Sequence, residues 1–555
     1  MSKYSKLILK LLTNRGITKE DDIENFLNPS YEKDLHDPFL MLGMDKAVNR
    51  IFQAINKKEK IVIFGDYDCD GIPGSVILHD FFKKIQYKNF FTYIPDRHKE
   101  GYGLNKKAIE KFNDEKVNLI ITVDLGINDI DQVALANKFN IDVIITDHHL
   151  PSKKFPKALV ILNSKQEKDK YPFKELCGAG VVFKLVQALI LKIKNYNLEI
   201  FWPEGQEKWF LDMVALATLS DRVPLLGENR AFAYYGLKVL QKNKRIGIKK
   251  LLEKMNINLN FINEEDIGFS IAPKLNAASR MDHPEKAFQL LSTDDEIIAE
   301  ELVNYLTEAN DERKKIVIQI MREINKDIKY REEDEIIVIG NPKWRIGVLG
   351  LIATRLAEDY KKPTFVWGLE GGDIIKGSCR SDGSVNLVEM MAEVPKDVLT
   401  EFGGHELAGG FSVAHEKIHL LEEEVIKAYQ KTKKDIMTAK EVGFDTKMSL
   451  DEVTLENYKQ IEKLAPFGQG NQRPSFLFEN VEILGTKVFG KVKNHLELLF
   501  LNSSGKKIKA ICFFKDQDSF KTHLASGEKI NLIANIELSR WNGYNDFRLR
   551  IVDIV

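Results

Sequence analysis

Hydrophobic residues between positions 60 and 165 occur in short unbroken runs that are separated by segments of helix length. The runs are IVIF (61–64), FFTYI (90–94), LIITV (119–123), VIIT (143–146) and ALVIL (158–162). Continuous Val/Ile runs are typical of strands buried on both faces, and helix-length spacers are typical of βαβ connections. The pattern predicts an α/β domain with a parallel sheet, closed by helices over 178–195 and 208–220.

The remainder of the chain predicts further domains. A charged helical stretch over roughly 284–330 is long enough to connect two lobes, and a second α/β pattern follows it, with an amphipathic run from Ile346 to Tyr360. Short β patterns with turn signals over 475–555 predict a small barrel or sandwich. The expected parts are an N-terminal segment (1–55), a first α/β domain (56–283), a long connecting helix (284–332), a second α/β domain (333–440), a helical connector (441–474) and a small barrel (475–555).

Composition indicates a globular protein but does not identify a partner. The 555 residues exceed what one core can organise, and a net charge of -1 is compatible with a local basic groove. The four cysteines, which lack zinc-ligand spacing, fit a reducing compartment, and no segment approaches the roughly 18 apolar residues of a membrane span. We therefore expect a cytoplasmic protein that does not bind membranes.

The segment GDYDCDG (65–71) has three aspartates at every second position, directly after the first predicted strand. Asp66, Asp68 and Asp70 would repel one another unless a cation or hydrogen-bond donors offset their charges. A calcium-binding EF-hand loop begins with the same spacing, but it requires a preceding helix and a glutamate where this chain has Ile77. A solvated acidic turn remains the alternative for this segment taken alone.

Two further segments place ionisable side chains directly after strands. Asp124 follows LIITV, and Asp147, His148 and His149 follow VIIT. Ligands of open parallel sheets bind beyond the carboxyl ends of the strands, so these side chains and the acidic loop are expected at one edge of one sheet. A lone histidine is usually structural, but two adjacent histidines that face several carboxylates are poorly explained in that way. Asp221, at the end of an apolar helix, is a further candidate carboxylate.

Carboxylates and imidazoles without thiolates favour Mn²⁺ or Mg²⁺ over a structural zinc site. The number of acidic candidates indicates two ions that share one bridging aspartate. Two ions about 3.5–4 Å apart can activate water, orient a phosphate and stabilise the leaving oxygen. The residues alone therefore predict a metal-dependent phosphodiesterase.

The order of these motifs, with D-x-D after the first strand, one aspartate after the third and D-H-H after the fourth, resembles the DHH phosphoesterase superfamily. Eight further segments, spread over nearly the whole chain, resemble the RecJ exonuclease family within it. They are PDRHKEGYGLN (95–105), CGAGVVFKL (177–185), LSDRVPL…ENR (219–230), APKLNAASRM (272–281), WRIGVLGLIATRL (344–356), KGSCRSDG (376–383), GGHELAGG (403–410) and LAPFGQGN (464–471). The resemblance implies a DHH catalytic domain, a DHHA1 substrate-binding domain and an OB-like barrel.

The resemblance also implies roles for individual residues of the catalytic domain. The implied metal ligands are Asp68, Asp70, Asp124, which would be the bridge, His148 and Asp221. His149 would lie beside the scissile phosphate, and Asp147 would orient a neighbouring histidine. For Asp66 both a supporting and a ligating position stay open.

The implied DNA contacts come from both lobes. Arg97, Ser378 and Arg380 would bind the 5′ phosphate, and His405 would face the metals across the cleft. Asn276 and Arg280 would contact the DNA backbone. Arg345 occupies a position at which related enzymes commonly have histidine. Whether Arg345 makes the contact that this histidine would make stays open.

The C-terminal region combines lysines with aromatic residues, as single-strand-binding barrels do. The lysines are 487, 491, 493, 506, 507 and 509, and the aromatic residues are Phe489, Phe513, Phe514, Trp541 and Tyr544. Because phenylalanines of small barrels usually belong to the core, Trp541 and Tyr544 are the predicted base-stacking residues.

The resemblance predicts hydrolysis of single-stranded DNA from its 5′ end to 5′ mononucleotides, in DNA repair and recombination. It also implies a single-strand-binding protein and a helicase as partners, and we expect a monomer. One alternative is a DHH phosphodiesterase for short oligonucleotides or cyclic dinucleotides, which generally lacks an OB-like tail. Another is a non-catalytic replication scaffold, a class that usually loses metal ligands which this chain retains.

Overall fold

The structure, a computed structural model, describes residues 3–196, 202–242, 244–331, 333–370, 374–433, 443–490, 493, 495–520, 522–539 and 546–555. Within these ranges no helix is long and apolar enough to cross a membrane. The strands form three sheets, and helices pack around them.

The first helices of the chain belong to two different hydrophobic cores. They are α1 (Lys6–Asn14), α2 (Glu20–Leu27), α3 (Tyr31–Asp34) and α4 (Met44–Asn56). Ile8 of α1 and Ile23 of α2 pack with buried residues of the C-terminal domain, whereas α4 packs in the core of the first α/β domain. The helices of the expected N-terminal segment (1–55) thus have their apolar faces covered by two different domains.

The first sheet is parallel, as predicted. Its strands are β1 (Ile61–Gly65), β2 (Phe90–Tyr93), β3 (Leu119–Val123), β4 (Asp142–Thr146) and β5 (Val160–Leu162), in the order β2-β1-β3-β4-β5. The register sets Gly65 beside Val123 and Val123 beside Thr146. The carboxyl ends of the three central strands are therefore level.

Helices cover both faces of this sheet. They are α5 (Gly71–Lys84), α6 (Lys106–Asp114), α7 (Ile130–Lys138) and α8 (Gly178–Lys192). Residues of α4, α5 and α8 form one hydrophobic core, and residues of α6 and α7 form another. Asn105 caps α6 by accepting a hydrogen bond from the N–H of Ala108 at 2.8 Å.

A helical region leads from this domain to the second lobe. Its helices are α9 (Leu211–Ser220), α10 (Gly227–Lys242), α11 (Ile246–Lys254), α12 (Glu264–Asp266), α13 (Ala272–Met281), α14 (Glu285–Ser292) and α15 (Glu296–Asp327), with a π-helical turn (Ile267–Ile271) between α12 and α13. Asp295 caps the 32-residue α15 by accepting from the N–H groups of Ile297 and Ile298. The first half of α15 packs in the core of the first lobe and the second half packs under the second sheet, so α15 is the predicted connecting helix.

The second lobe contains a mixed sheet. Its elements are β6 (Ile337–Asn341), α16 (Ile346–Tyr360), β7 (Thr364–Gly368), β8 (Ile375–Arg380), α17 (Leu387–Glu393), β9 (Leu399–Gly404), β10 (Ala408–Val413) and α18 (Leu421–Thr432). The strand order is β6-β7-β8-β10-β9, in which β6 and β7 are parallel and the other pairs are antiparallel. Helix α16 spans the same residues as the predicted amphipathic run.

The C-terminal domain is built on a seven-stranded sheet. Its elements are β11 (Thr446–Lys447), α19 (Leu455–Glu462), β12 (Phe476–Glu482), β13 (Gly485–Phe489), β14 (His495–Leu501), β15 (Lys507–Cys512), β16 (Lys529–Ser539) and β17 (Asp546–Ile554). The strand order is β11-β12-β16-β17-β15-β14-β13. Short 3-10 turns occur at Pro38–Leu40, Ile193–Tyr196, Gln206–Phe210, Leu259–Phe261, Ile328–Arg331, His415–Leu420, Leu450–Glu452 and Gln517–Ser519.

Candidate metal centre and phosphate pocket

Three acidic residues come directly after the level ends of the central strands. Asp66 follows β1, Asp124 follows β3 and Asp147 follows β4, and each is held by a backbone hydrogen bond to the next strand. The N–H of Asp66 donates to Val123, that of Asp124 donates to Thr146, and that of Asp147 donates to Leu162. The sheet register thus places three carboxylates side by side at one edge.

The acidic loop is held by backbone N–H groups. One oxygen of Asp68 accepts from the N–H groups of Asp70 and Gly71 at 2.8 and 3.1 Å. Both oxygens of Asp70 accept from the N-terminal amides of α8, at Gly178 and Ala179, each at 2.7 Å. The positive end of the α8 dipole therefore lies against a buried carboxylate.

Glycine is required where the loop and α8 approach the candidate ligands. A Cβ atom on Gly71 would lie 2.6 Å from the Cβ of Asp66, and one on Gly178 would lie 2.6 Å from the Cβ of Asp124. Both separations are shorter than any van der Waals contact between carbon atoms allows. The two glycines therefore let backbone pack directly against the acidic side chains.

The structure brings the implied ligands together around one imidazole. The Nε2 atom of His148 lies 3.2 Å from Asp124 Oδ1, 3.6 Å from Asp70 Oδ2 and 3.7 Å from Asp221 Oδ2. Three overlapping groups of possible ligand atoms each fit within 4.8 Å. These groups are Asp124 with His148 and His149, Asp70 with His148 and Asp221, and Asp66 with Asp68 and Asp124.

The buried carboxyl groups lack enough donors of their own. Within the described part of the chain, Oδ1 of Asp66, Oδ1 of Asp124 and Nδ1 of His148 are buried without a hydrogen-bond partner. Burial and the neighbouring carboxylates raise the pKa of Asp66, Asp124 and Asp221 well above the ordinary value, and they raise the pKa of Asp70 to about 7. A divalent cation would supply the missing positive charge, so the donor set fits Mn²⁺ or Mg²⁺.

The two histidines have opposite electrostatic environments. Burial, together with the charge of His149, lowers the pKa of His148 to about 3, and a neutral imidazole is the form that ligates metals. Burial also disfavours the charged form of His149, but the hydrogen bond and charge of Asp147 outweigh it and raise the pKa of His149 to about 9. Asp147 Oδ1 lies 2.7 Å from His149 Nδ1 and also accepts from the N–H groups of both histidines, so it fixes the DHH segment.

Residues from both lobes line the cleft around these groups. Arg97, Asn276 and Arg280 line it together with the acidic cluster, and the ring of His405 lies 5.4 Å from that of His149. Asn276 accepts a hydrogen bond from the N–H of Cys69 at 2.9 Å, which attaches α13 to the acidic loop.

Ser378 and Arg380 lie on β8 of the second lobe, against α16. A Cβ atom on Gly350 would be 3.2 Å from Arg380 Nη2 and 3.5 Å from Ser378 Oγ. Arg380 also donates to Thr354 Oγ1 at 3.1 Å and to the carbonyl of Cys379 at 2.7 Å. Gly350 therefore leaves the space in which both side chains lie.

Two tyrosines of the cleft were missed from the sequence. Tyr102, which is 53% exposed, donates to the carbonyl of Asp124 at 3.2 Å and contacts the ring of His149. Tyr67 lies under the guanidinium group of Arg97 at 5.0 Å. Tyr102 belongs to one of the segments that carry the family resemblance, and Tyr67 belongs to the acidic loop. Their positions in these two segments were the only indication in the sequence that they lie at the site.

Arg345 lies at the joint between the lobes. Its Nη1 lies 3.0 Å from Glu312 of α15, and its Nε lies 3.7 Å from Glu370, which follows β7. Glu370 also accepts from the N–H of Ile346 at 2.9 Å. Arg345 therefore connects α15 to the second lobe through carboxylates.

One C-terminal aromatic residue, Phe514, differs from the expectation for phenylalanines of a small barrel. Phe514 is 77% exposed rather than part of the core, and its φ angle of 60° lies in the left-handed region. The N–H of Phe514 donates to Nδ1 of His495 at 3.0 Å, and the His495 ring also contacts Phe489 and Phe513. The predicted stacking residues, Trp541 and Tyr544, and Lys491 lie outside the described residues.

Three family models match the chain. The model described as "DHH family, N-terminal domain" matches residues 60–218, "DHHA1 domain" matches 303–431, and "RecJ OB domain" matches 444–553. The predicted fold class, with a DHH domain, a DHHA1 domain and a C-terminal OB domain, is thereby confirmed.

Curated relatives and solved structures agree with these matches. The chain is 35% identical to the single-stranded-DNA-specific exonuclease RecJ of Bacillus subtilis, over 99% of this chain and 67% of that protein. It is 31% identical to the RecJ exonuclease of Haemophilus influenzae, over 99% of this chain and 96% of that protein.

The crystal structure of RecJ from Thermus thermophilus in complex with Mn²⁺ matches with a TM-score of 0.81 at 25% identity, covering 100% of this chain and 76% of that one. A crystal structure of exonuclease RecJ bound to manganese matches with a TM-score of 0.61 at 30% identity, covering 70% and 95%. The chain belongs to the RecJ family of single-stranded-DNA-specific exonucleases.

Proposed function

We propose that this chain is a metal-dependent exonuclease that hydrolyses single-stranded DNA from its 5′ end and releases 5′ mononucleotides. The observation that supports it is one cleft in which buried carboxylates and His148 lie beside Arg97 and Arg280, with His405 of the second lobe next to His149. The cleft can thus bind cations and a phosphate backbone together. Relatives named for single-stranded-DNA-specific exonuclease activity support the choice of substrate.

In this proposal the metal-binding residues and the strand-binding residues of the cleft have separate roles. Asp68, Asp70, Asp124, His148 and Asp221 hold Mn²⁺ or Mg²⁺, and Asp66 is placed to join them. The ions, when bound, activate water and offset the charge that develops on the phosphate.

The remaining residues position the strand. His149 lines the cleft, and Asp147 fixes its ring beside the reacting phosphate. Arg97, Ser378 and Arg380 bind the 5′ phosphate, for which a guanidinium group offers paired donors. Asn276 and Arg280 contact the next part of the backbone, and His405 closes the cleft opposite His149.

Phe514 supports a further contact outside the cleft. Its ring is held away from the core by the hydrogen bond to His495 of β14. Exposed lysines at positions 487, 507 and 509 lie on β13 and β15, the two strands that pair with β14. An exposed aromatic face on a domain that also presents exposed lysines suits unpaired bases and their phosphates, so we propose that the continuing strand binds this domain. A single-strand-binding protein, a helicase and a monomeric state remain predictions.

The experiment compares end-labelled substrates. A 5′-phosphorylated single strand, labelled at its 3′ or its 5′ end, is digested with Mn²⁺ and with EDTA, beside its blunt duplex and a dinucleotide. The proposal predicts that the 5′ label appears at once as a mononucleotide while the 3′ label gives a descending ladder. Asp124→Ala should abolish both, whereas Asp131→Asn, an exposed carboxylate on α7, should not.

The other outcomes assign the protein elsewhere. Immediate release of the 3′ label would contradict the 5′ polarity. Cleavage of the dinucleotide alone would indicate a phosphodiesterase for short oligonucleotides. Absence of metal-dependent cleavage of every substrate would indicate a scaffold.

A further inference from the structure

The end of α10 and the segment that follows it contain a run of basic residues. Between positions 242 and 250 the sequence KNKRIGIKK has five lysine or arginine residues and no acidic residue. Over the whole chain 81 basic residues balance 82 acidic ones, so this run is a local concentration of positive charge. Basic runs occur in nucleic-acid-binding surfaces, but many are simply solvated, and the contacts of each side chain show which charges are free.

Two of these charges are neutralised within the chain. Arg245 pairs with Asp80 Oδ2 at 2.7 Å and with Asp212 Oδ2 at 2.6 Å. Lys250 lies 3.6 Å from Glu296 Oε2. Arg245 therefore attaches the basic run to α5 and α9, and neither residue adds free charge to the surface.

Four exposed lysines of this region have no carboxylate partner among the described residues, and each lies over an aromatic ring instead. Their Nζ atoms are 3.4–5.4 Å from the centroids of the rings, which belong to Trp202, Trp209 and Tyr234. Such contacts hold an ammonium group in place but leave its charge unneutralised. The four lysines, which we call the distal basic surface, are Lys84, Lys238, Lys242 and Lys244.

The ion pair of Arg245 brings members of the distal basic surface together. Lys244 directly precedes Arg245 in the chain. Asp80, the partner of Arg245, lies one helical turn before Lys84 on α5. Burial lowers the pKa of Lys84, and the charge of Lys244 adds to this effect while Asp80 opposes it. The other two lysines are four residues apart on α10 and share one face of that helix.

The distal basic surface lies away from the metal-binding cleft. Helix α5 begins directly after the acidic loop, and its 14 residues span about 20 Å before the helix ends at Lys84. Helix α9 begins two residues after Trp209 and ends at Ser220, directly before the candidate ligand Asp221. Both helices therefore separate the lysines from the carboxylates, and the surface is distinct from the cleft.

We propose that the distal basic surface binds the phosphate backbone of duplex DNA, which the chain holds there without cleaving it. A lysine covers a face of each aromatic ring, so the rings do not offer free faces for stacking with unpaired bases. What the surface offers is a group of exposed point charges. Charges without stacking faces suit a duplex, whose bases are already stacked and whose phosphates lie outside. Because the ammonium groups are held over the rings, less side-chain freedom is lost on binding.

The test measures binding of a blunt duplex to the whole chain by fluorescence anisotropy, in EDTA and over a series of salt concentrations. Lys242→Gln combined with Lys244→Gln should weaken binding roughly ten-fold at low salt. It should also reduce the slope of log affinity against log salt by about two, because each lysine–phosphate contact releases about one counterion. Lys242→Arg combined with Lys244→Arg keeps both charges and should retain the affinity and the slope.

A matched control tests whether the loss of any two surface charges is sufficient. Lys107→Gln combined with Lys138→Gln removes two exposed charges from α6 and α7, which cover the other face of the first sheet. This control should bind the duplex as wild type does. A single strand of the same length should be affected much less than the duplex by the Lys242 and Lys244 substitutions, because the surface lacks free stacking faces.

Three outcomes would overturn the proposal. One is equal affinity and equal salt slope for the Lys242 and Lys244 glutamine variant and wild type. Another is an equal loss of single-strand binding, which would assign these lysines to the unpaired strand. The third is tight binding of a polyglutamate peptide, lost in the variant, without duplex binding by wild type, which would assign the surface to an acidic protein. Because binding is measured without metal, absence of cleavage would reject the exonuclease proposal alone.

Discussion

Asp124→Asn should stabilise the metal-free protein while it abolishes the response to metal. Asp124 is 2% exposed, and the candidate ligand atoms of Asp66, Asp68 and Asp124 lie within 4.8 Å of one another. At that separation each ionised pair repels by about 3.5 kcal/mol at an effective dielectric constant of about 20. In the wild-type protein, proton uptake by the carboxylates relieves part of this repulsion. We therefore expect the variant to have a free energy of unfolding in EDTA that is higher by about 1–3 kcal/mol.

Asparagine is the appropriate substitute for two structural reasons. It has nearly the shape of aspartate, and it tolerates the φ angle of 64° that Asp124 adopts. The variant therefore removes charge without adding a cavity or backbone strain. With Mn²⁺ at about a hundred-fold excess over its dissociation constant, wild type should gain about 2.7 kcal/mol, and the variant should gain far less.

Hydrogen exchange of backbone amides in β1 and β3 measures the change in unfolding free energy close to Asp124. A local measurement avoids treating several domains as one cooperative unit. Asp131→Asn, on the surface of α7, serves as the control and should change stability by less than about 0.5 kcal/mol. The reasoning is refuted if Asp124→Asn is less stable than wild type in EDTA. It is equally refuted if Mn²⁺ stabilises the variant as much as wild type.

Three further substitutions test other parts of the structure. Gly350→Ala puts a methyl group 3.2 Å from Arg380 Nη2, so KM for single-stranded DNA should rise several-fold with little change in kcat, measured at steady state. Phe514→Ala should weaken binding of long single strands by about 1–3 kcal/mol in fluorescence titrations, and it should leave cleavage of a trinucleotide unchanged. Lys184→Met removes the cation 3.0 Å from the fully buried Glu228 and leaves that charge unpaired. The free energy of unfolding, measured with denaturant, should therefore fall by about 3–5 kcal/mol.

Each of these substitutions has a matched control. Gly268→Ala adds a methyl group that meets no described atom within 4 Å outside its chain neighbours and the adjacent helical backbone, and it should leave KM unchanged. Phe269→Ala removes another exposed ring, and it should not alter binding of long strands. Adding Glu228→Gln to Lys184→Met removes the unpaired charge and should recover part of the lost stability. A control that behaves like its test variant would contradict the corresponding argument.

The strands and the residues that follow them could be predicted because both depend on local sequence. A continuous Val/Ile run such as 119–123 specifies a buried strand, and residues at carboxyl ends of parallel strands must share one edge. Helix α16 could be bounded from its apolar periodicity in the same way. Level strand ends then follow from the register, which brings Asp66 and Asp124 together.

Other features depend on contacts between distant parts of the chain. Periodicity shows that α1 and α2 have apolar faces, but it does not show that the C-terminal domain covers them. Composition favours a core position for Phe514, whereas a left-handed backbone and the hydrogen bond to His495 expose it.

The two kinds of charge in the cleft form one energetic system. The carboxylates around Asp124 repel one another without cations, and the guanidinium groups around Arg280 repel one another without an anion. A DNA end with its bound metal ions supplies both countercharges at once, so substrate binding relieves the repulsion within both groups of charges. The carboxylates alone would bind cations and the arginines alone would bind an anion, but only the two groups together would hold a phosphate against the metals.

This coupling predicts that metal and a 5′-phosphorylated strand increase each other's affinity by the same factor, since linkage between two ligands is reciprocal. A strand with non-hydrolysable linkages allows both affinities to be measured on the wild-type protein. Titrations of Mn²⁺ with and without that strand give one factor, and titrations of the strand with and without Mn²⁺ give the other. Independent affinities would show that the two groups of charges act separately, because neither ligand would then relieve the repulsion within the other group.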